Sequence, residues 1–172
     1  QFTRPSTGEL QPIGFYSNGC LSGAKTLPLE GLGYQVMRPS RNRFYGHTQT
    51  LEFIQTLAQK LSLEGTSILI GDVSQPRGGP MPTGHASHQV GLDADIWFWN
   101  HPEQASRTLT LDERENLPMI SMLDSHSKVD ENKFKSEQIL KLKFASLDPH
   151  VQRIFVNPAI KLYLCSKLQG KE

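Results

Sequence analysis

The stretch His85-Ala86-Ser87-His88-Gln89-Val90-Gly91-Leu92-Asp93-Ala94-Asp95-Ile96 sets two histidines against two carboxylates, with a glycine between the pairs. Imidazole and carboxylate are donors that suit zinc. An apolar run, Ile96 to Trp99, follows. Read as a strand, residues 92–99 place Asp93, Asp95, Trp97 and Trp99 on one face by period-2 alternation. Leu92, Ala94, Ile96 and Phe98 then turn to a core. Asp95 is held on a rigid element, His88 enters from the loop before it, and Gly91 permits the tight path between them. His85, three positions before His88, is placed in the same cleft, as a further ligand or as a group bonded to one. Asp93 is the carboxylate expected to hydrogen-bond behind the ligands. Ordinary polar loop residues can show the same spacing, and the residues alone leave both readings open.

Outward from this stretch, residues 74–84 form a glycine and proline loop (Pro76, Gly78, Gly79, Pro80, Pro82, Gly84) that delivers both histidines. Arg77 within it suits either a substrate carboxylate or solvent. Ser67–Val73 reads as a buried strand. Thr48–Leu63 is the clearest helix: Leu51, Ile54, Leu57, Ala58 and Leu61 form one apolar stripe, with Thr48 as N-cap. His47 before it is expected at the surface or at the helix start. Ile13–Tyr16 and Tyr34–Met37 are short extended pieces between glycines. Residues 1–12 read as a surface arm.

After Trp99, Thr110 and Glu113 have capping-box spacing, so a helix is expected over Leu111–Leu123, disturbed by Pro118. Asp124 to Asn132 is a polar loop in which Asp124 and His126 are candidates for a second metal. Phe134–Leu147 is predicted helical with Ile139, Leu140, Leu142 and Phe144 inward. Arg153–Val156 reads as a short strand, and Asn157-Pro158 as the start of a helix through Leu168.

The chain has 172 residues, a net charge of +1 and two cysteines, Cys20 and Cys165. That length suits one domain. The charge gives no field that points to nucleic acid or an anionic membrane. No apolar run approaches the roughly 18 residues a spanning helix needs, so no membrane insertion is expected. Gln1 opens no basic-then-apolar leader, which fits a cytoplasmic chain or a mature exported one. The wide cysteine spacing argues against a structural zinc site of the Cys type.

His88, Gly91 and Asp95 fit the His-x-x-Gly-x-x-x-Asp signature of zinc peptidases of the lysostaphin, D-Ala-D-Ala peptidase and Hedgehog-like group. The wider block Gly84 to Gln89 with Gly91-Leu92-Asp93 resembles penicillin-insensitive murein endopeptidases. So do Ile13–Cys20, Arg43–His47 and Arg153–Lys161. The resemblance implies an α+β domain, a small largely antiparallel sheet with helices around it. It implies Zn2+ as cofactor, peptidoglycan as partner, and hydrolysis of the D-alanyl–diaminopimelate crosslink in the periplasm. A non-catalytic cell-wall-binding module and a D-Ala-D-Ala carboxypeptidase of the same group are the rival functions.

The family completes its zinc site with a later His-x-His, which the six histidines here do not contain. The catalytic histidine is therefore expected beyond Glu172, and the chain reads as most of an exported zinc endopeptidase lacking its C-terminal part. Alone, it is expected to hold zinc weakly and not to turn over substrate. By the same resemblance, Cys20 and Cys165 are expected to form disulfide bonds with later cysteines and not with each other.

Overall fold

Helix α1 (Thr48–Leu63) is the element on which the core is built, in a computed structural model that describes residues 2–84 and 86–168. Its apolar stripe is buried throughout: Leu51, Ile54, Leu57, Ala58 and Leu61 are at most 6% exposed. Truncating Ile54 to alanine there would cost about 2–5 kcal/mol. Its N-cap is His47, one residue before the expected Thr48, and the His47 ring nitrogen Nδ1 accepts from the Gln49 N–H at 3.3 Å. An imidazole lone pair can fill the role of a capping oxygen, and Thr48 becomes the first helical residue.

The stripe packs on two short strands, β5 (Tyr34–Val36) and β7 (Ile68–Ile70), which pair in parallel. A parallel pair needs a crossover element, and α1 provides it. β4 (Glu30–Gly31) adds antiparallel to β5. Two further antiparallel pairs stand apart. β1 (Gln11–Phe15) pairs with β2 (Asn18–Ser22), and β3 (Lys25–Thr26) with β6 (Tyr45–Gly46). The class is mixed α and β as expected, but the strands form small separate sheets and not one, and the core sheet contains a parallel pair.

Residues 92–99 depart most from expectation. They run extended beside β7 but form only one isolated bridge, Ile70 to Ile96. Backbone bonds nevertheless fix the segment: Gly71 N to Asp95 O at 2.8 Å, Asp95 N to Asp72 O at 2.9 Å, and Trp97 N to Leu69 O at 2.9 Å. The expected two-faced pattern fails because cores lie on both sides. Trp97 is buried with Met37, Leu69 and Leu109, whereas Ala94 and Ile96 pack on the α1 cluster. Leu92, expected inward, is 50% exposed.

Helix α2 (Leu111–Asn116) has the expected capping box, with Glu113 N donating to Thr110 Oγ1 at 3.2 Å and Thr110 N to Glu113 Oε2 at 2.7 Å. It ends well short of Leu123, because Leu117 precedes Pro118 and takes the extended conformation that a pre-proline residue favours (ψ 129°). Helix α3 (Ser136–Ser146) is two residues shorter at its start than the Phe134 expected. Its buried positions include Gln138 and Lys141, whereas Ile139, expected inward, is 39% exposed. Lys141 Nζ donates to the carbonyls of Trp97 and Phe98, each at 3.0 Å, and to Asn100 Oδ1 at 2.5 Å. Gln138 Nε2 donates to Phe98 O at 3.0 Å. The helix thus anchors the backbone that follows Asp95 through polar groups. Residues 153–156 are not a strand; no described strand pairs with them, and residues 153–155 run exposed before Val156 packs against the Met122, Phe134 and Ile160 cluster at the start of helix α4 (Pro158–Leu168). Asn157 Oδ1 accepts from Ala159 N at 2.9 Å, as the Asn-Pro start predicts. Cys20 and Cys165 are exposed free thiols, not joined to each other. No described helix is long and apolar enough to cross a membrane.

Candidate metal centre

His88 takes a left-handed backbone conformation (φ 65°), which a side-chain-bearing residue adopts at some cost. Its surroundings hold it there. The His88 N–H donates to Asp93 Oδ2 at 3.1 Å, and the ring is 2% exposed. Nδ1 lies 2.9 Å from the Val73 carbonyl and 3.1 Å from Asp93 Oδ2, while Nε2 lies 3.3 Å from Asp95 Oδ1. A carbonyl can only accept, so Nδ1 carries a proton; Nε2 donates to Asp95 Oδ1 when the ring is charged, and losing that proton frees its lone pair for a cation held between the two. Gly91 makes this approach possible. It sits at φ 68°, and a Cβ there would lie 2.5 Å from Leu21 Cδ2 and 3.0 Å from Gly46 Cα.

The electrostatics are those of a site that wants a cation. Burial pulls the His88 imidazole down. The hydrogen bond and charge of Asp95, with the charges of Asp93 and Asp72, outweigh it, so its pKa stands above that of an ordinary histidine. Burial pushes the Asp93 carboxyl up, against the opposing pull of the His88 charge and its N–H. Among the described residues, Asp93 Oδ1 is buried without a hydrogen-bond partner.

These residues fit zinc. Two donors at zinc-ligand distance and a tetrahedral angle lie roughly 3.3–3.5 Å apart, which is the separation of His88 Nε2 and Asp95 Oδ1. The Nδ1 bond to a backbone carbonyl is the support that a metal-binding imidazole usually has. Among the described residues no group of three or more His, Cys, Asp or Glu side chains is placed to hold a metal. His85, the further candidate, lies outside the described residues. Asp93, the carboxylate expected to support the ligands, contacts His88 at both its N–H and Nδ1.

Asp124 and His126 do not join this cluster. Both are exposed, and Asp124 Oδ1 closes a turn by accepting from His126 N at 2.8 Å and Lys128 N at 2.9 Å. Arg77 is engaged within the chain, its guanidinium 4.0 Å over the Phe2 ring and its Nε donating to Arg4 O at 3.3 Å.

Reading the sequence missed a buried ion pair. Arg43 Nη1 lies 2.6 Å from Asp72 Oδ2, with side-chain exposures of 6% and 4%. Arg43 Nη2 also donates to Thr83 O at 2.9 Å and Thr83 Oγ1 at 3.1 Å. The available signal was a carboxylate closing an apolar strand, which reads equally as a turn residue.

A family model described as penicillin-insensitive murein endopeptidase matches residues 12–172. The chain is 44% identical over 159 residues to the protein of that name from Haemophilus influenzae, covering 92% of this chain and 54% of that one. It is 43% identical over 166 residues to those from Escherichia coli and Shigella boydii, covering 96% of this chain and 60% of each. The chain thus spans a little over half the length of the curated relatives it matches.

Proposed function

The chain belongs to the penicillin-insensitive murein endopeptidase family, and from that premise we propose that it serves a zinc-dependent hydrolase of peptidoglycan crosslinks. The bond cleaved is the one between D-alanine and diaminopimelate, and the protein works in the periplasm. The observation that carries the zinc reading is the His88–Asp95 pair, whose Nε2 and Oδ1 stand 3.3 Å apart.

His88 and Asp95 would hold the metal, with His85 as the further candidate from this chain. Bound zinc supplies Lewis-acid activation of water and of the scissile carbonyl. The chain's own residues prepare for it. The Val73 carbonyl keeps the His88 proton on Nδ1 and so keeps Nε2 available. The backbone bonds of Asp95 to Gly71 and Asp72 fix the carboxylate's origin. Asp93 fixes the His88 main chain through its N–H and adds negative charge behind the ring. No serine nucleophile takes part in such a reaction, which accords with a family insensitive to penicillin.

The test uses the full-length protein with purified sacculi and crosslinked muropeptides, before and after chelation. Release of uncrosslinked peptides, lost on chelation and restored by zinc, is the expected result. Release of free D-alanine would show a carboxypeptidase instead. Sacculus binding without any cleavage would show a wall-binding module.

A further inference from the structure

We propose that Arg43 is a positioning residue that locks the two halves of the metal centre in register; the proposal rests on the zinc reading above. Asp95 belongs to the segment that follows Gly91, whereas the loop of residues 74–84 leads to His85 and His88. Arg43 is bonded to both sides. Its Nη1 holds Asp72, whose backbone carbonyl accepts from Asp95 N at 2.9 Å. Its Nη2 holds Thr83 through two bonds, and Thr83 stands two residues before His85. Its own carbonyl accepts from Val73 N at 2.7 Å, and the Val73 carbonyl is the acceptor for His88 Nδ1. One residue therefore reaches the supports of Asp95, of His88 and of the loop between.

The chemistry needs arginine. A planar guanidinium serves Asp72 and Thr83 from different nitrogens in a fixed fork, while a lysine ammonium acts as a single point charge. The pair is also too deeply placed to be ordinary surface charge. Removing Arg43 alone leaves the buried Asp72 carboxylate only the longer contact to the half-exposed Arg41, Nη1 to Oδ2 at 3.4 Å, which should destabilise the protein, whereas removing both charges together is often tolerated. That difference separates positioning from folding.

The experiment compares full-length wild type, Arg43→Lys and the double variant Arg43→Met/Asp72→Asn. Each is titrated with cobalt(II), whose visible absorption reports ligand geometry, and with zinc by competition. Thermal unfolding and kcat and KM on a crosslinked muropeptide are measured beside these. Outer supports of metal ligands are typically worth 10–100-fold in affinity. Arg43→Lys should lose about that much and show an altered cobalt spectrum. Stability in the double variant should return toward wild type while its affinity and spectrum do not, since the link to Thr83 is gone. Losses in kcat should exceed changes in KM. If Arg43→Lys does not fold, the double variant carries the test. A folded variant lacking the Arg43 fork, yet with wild-type cobalt spectrum and affinity, would overturn the proposal and leave the zinc reading standing. Wild type that takes up neither metal would overturn both.

Discussion

The chain contains two histidine–aspartate pairs of similar composition and opposite circumstance. His88 and Asp95 are seven apart in sequence, and the fold brings their donor atoms to 3.3 Å. Asp124 and His126 are two apart, and the carboxylate spends Oδ1 on backbone N–H groups of its own turn. In the first pair the ring's other nitrogen is tied to a carbonyl and the ring is buried. In the second both side chains lie in solvent. Residue type and spacing are therefore insufficient to bring two donor atoms together; what differs is where the spare donors and acceptors of each side chain are already committed.

The largest expected effect follows from that contrast. His88→Ala or Asp95→Ala should each weaken zinc binding by roughly 10²–10³-fold, since one ligand of a four-ligand site is worth about 2.5–4 kcal/mol. Asp124→Ala and His126→Ala should leave affinity at the His88–Asp95 pair within about twofold. Competition titration against a zinc chromophore reads both, and a large loss in either exposed variant would erase the distinction.

A smaller change is expected from Asp93→Asn. It keeps the shape but removes the charge behind His88, and affinity should fall about 10–100-fold. Loss of that charge also lowers the His88 pKa, so the acid limb of zinc binding should move to lower pH. An acid limb that stays in place would separate Asp93 from the site.

The next effect concerns how each pair's backbone is anchored. Lys141, buried under the segment that follows Asp95, has its pKa pushed down by burial to about 8. The unfolded chain holds that proton up to the ordinary lysine range, so the penalty for burying the charge is full below about pH 8 and is relieved as pH climbs above it. Wild type should therefore gain on the order of 2–3 kcal/mol relative to Lys141→Met between pH 7.5 and 10.5. Urea midpoints of the two proteins, subtracted at each pH, isolate this from other alkaline titrations; a flat difference would mean the ammonium is not desolvated.

The smallest is local. Asp124→Ala removes the acceptor that closes the exposed turn and should cost about 1 kcal/mol or less, read as the same shift in unfolding midpoint with or without zinc.

Signals that act over a few residues were legible in the sequence. The stripe of α1, the Thr110–Glu113 box and the Asn157-Pro158 start each depend on neighbours within one or two turns, and each was found in place. The approach of His88 to Asp95 was legible too, because Gly91 and a short loop leave the chain few other paths. What failed needed knowledge of the surroundings. Trp97 turns inward because a second small core lies on its side of the segment. Lys141 is buried because carbonyls left open by an irregular strand require a donor. Arg43 and Asp72 are 29 residues apart, and no periodicity joins them. The stop after Asn116 is written in Pro118, which disfavours the helical conformation at Leu117.

The parallel pairing of β5 with β7 also bears on the order in which the molecule assembles. Tyr34 and Ile68 meet only after the whole of α1 has been traversed. Isolated helices form within about a microsecond, but distant strand pairing waits on loop closure and is slower by orders of magnitude. Residues 95–97 dock on the edge of β7 opposite β5, so the approach of Asp95 to His88 is expected to follow once β7 is held in its sheet. The helical signal during refolding should therefore rise well before the chain acquires any grip on metal.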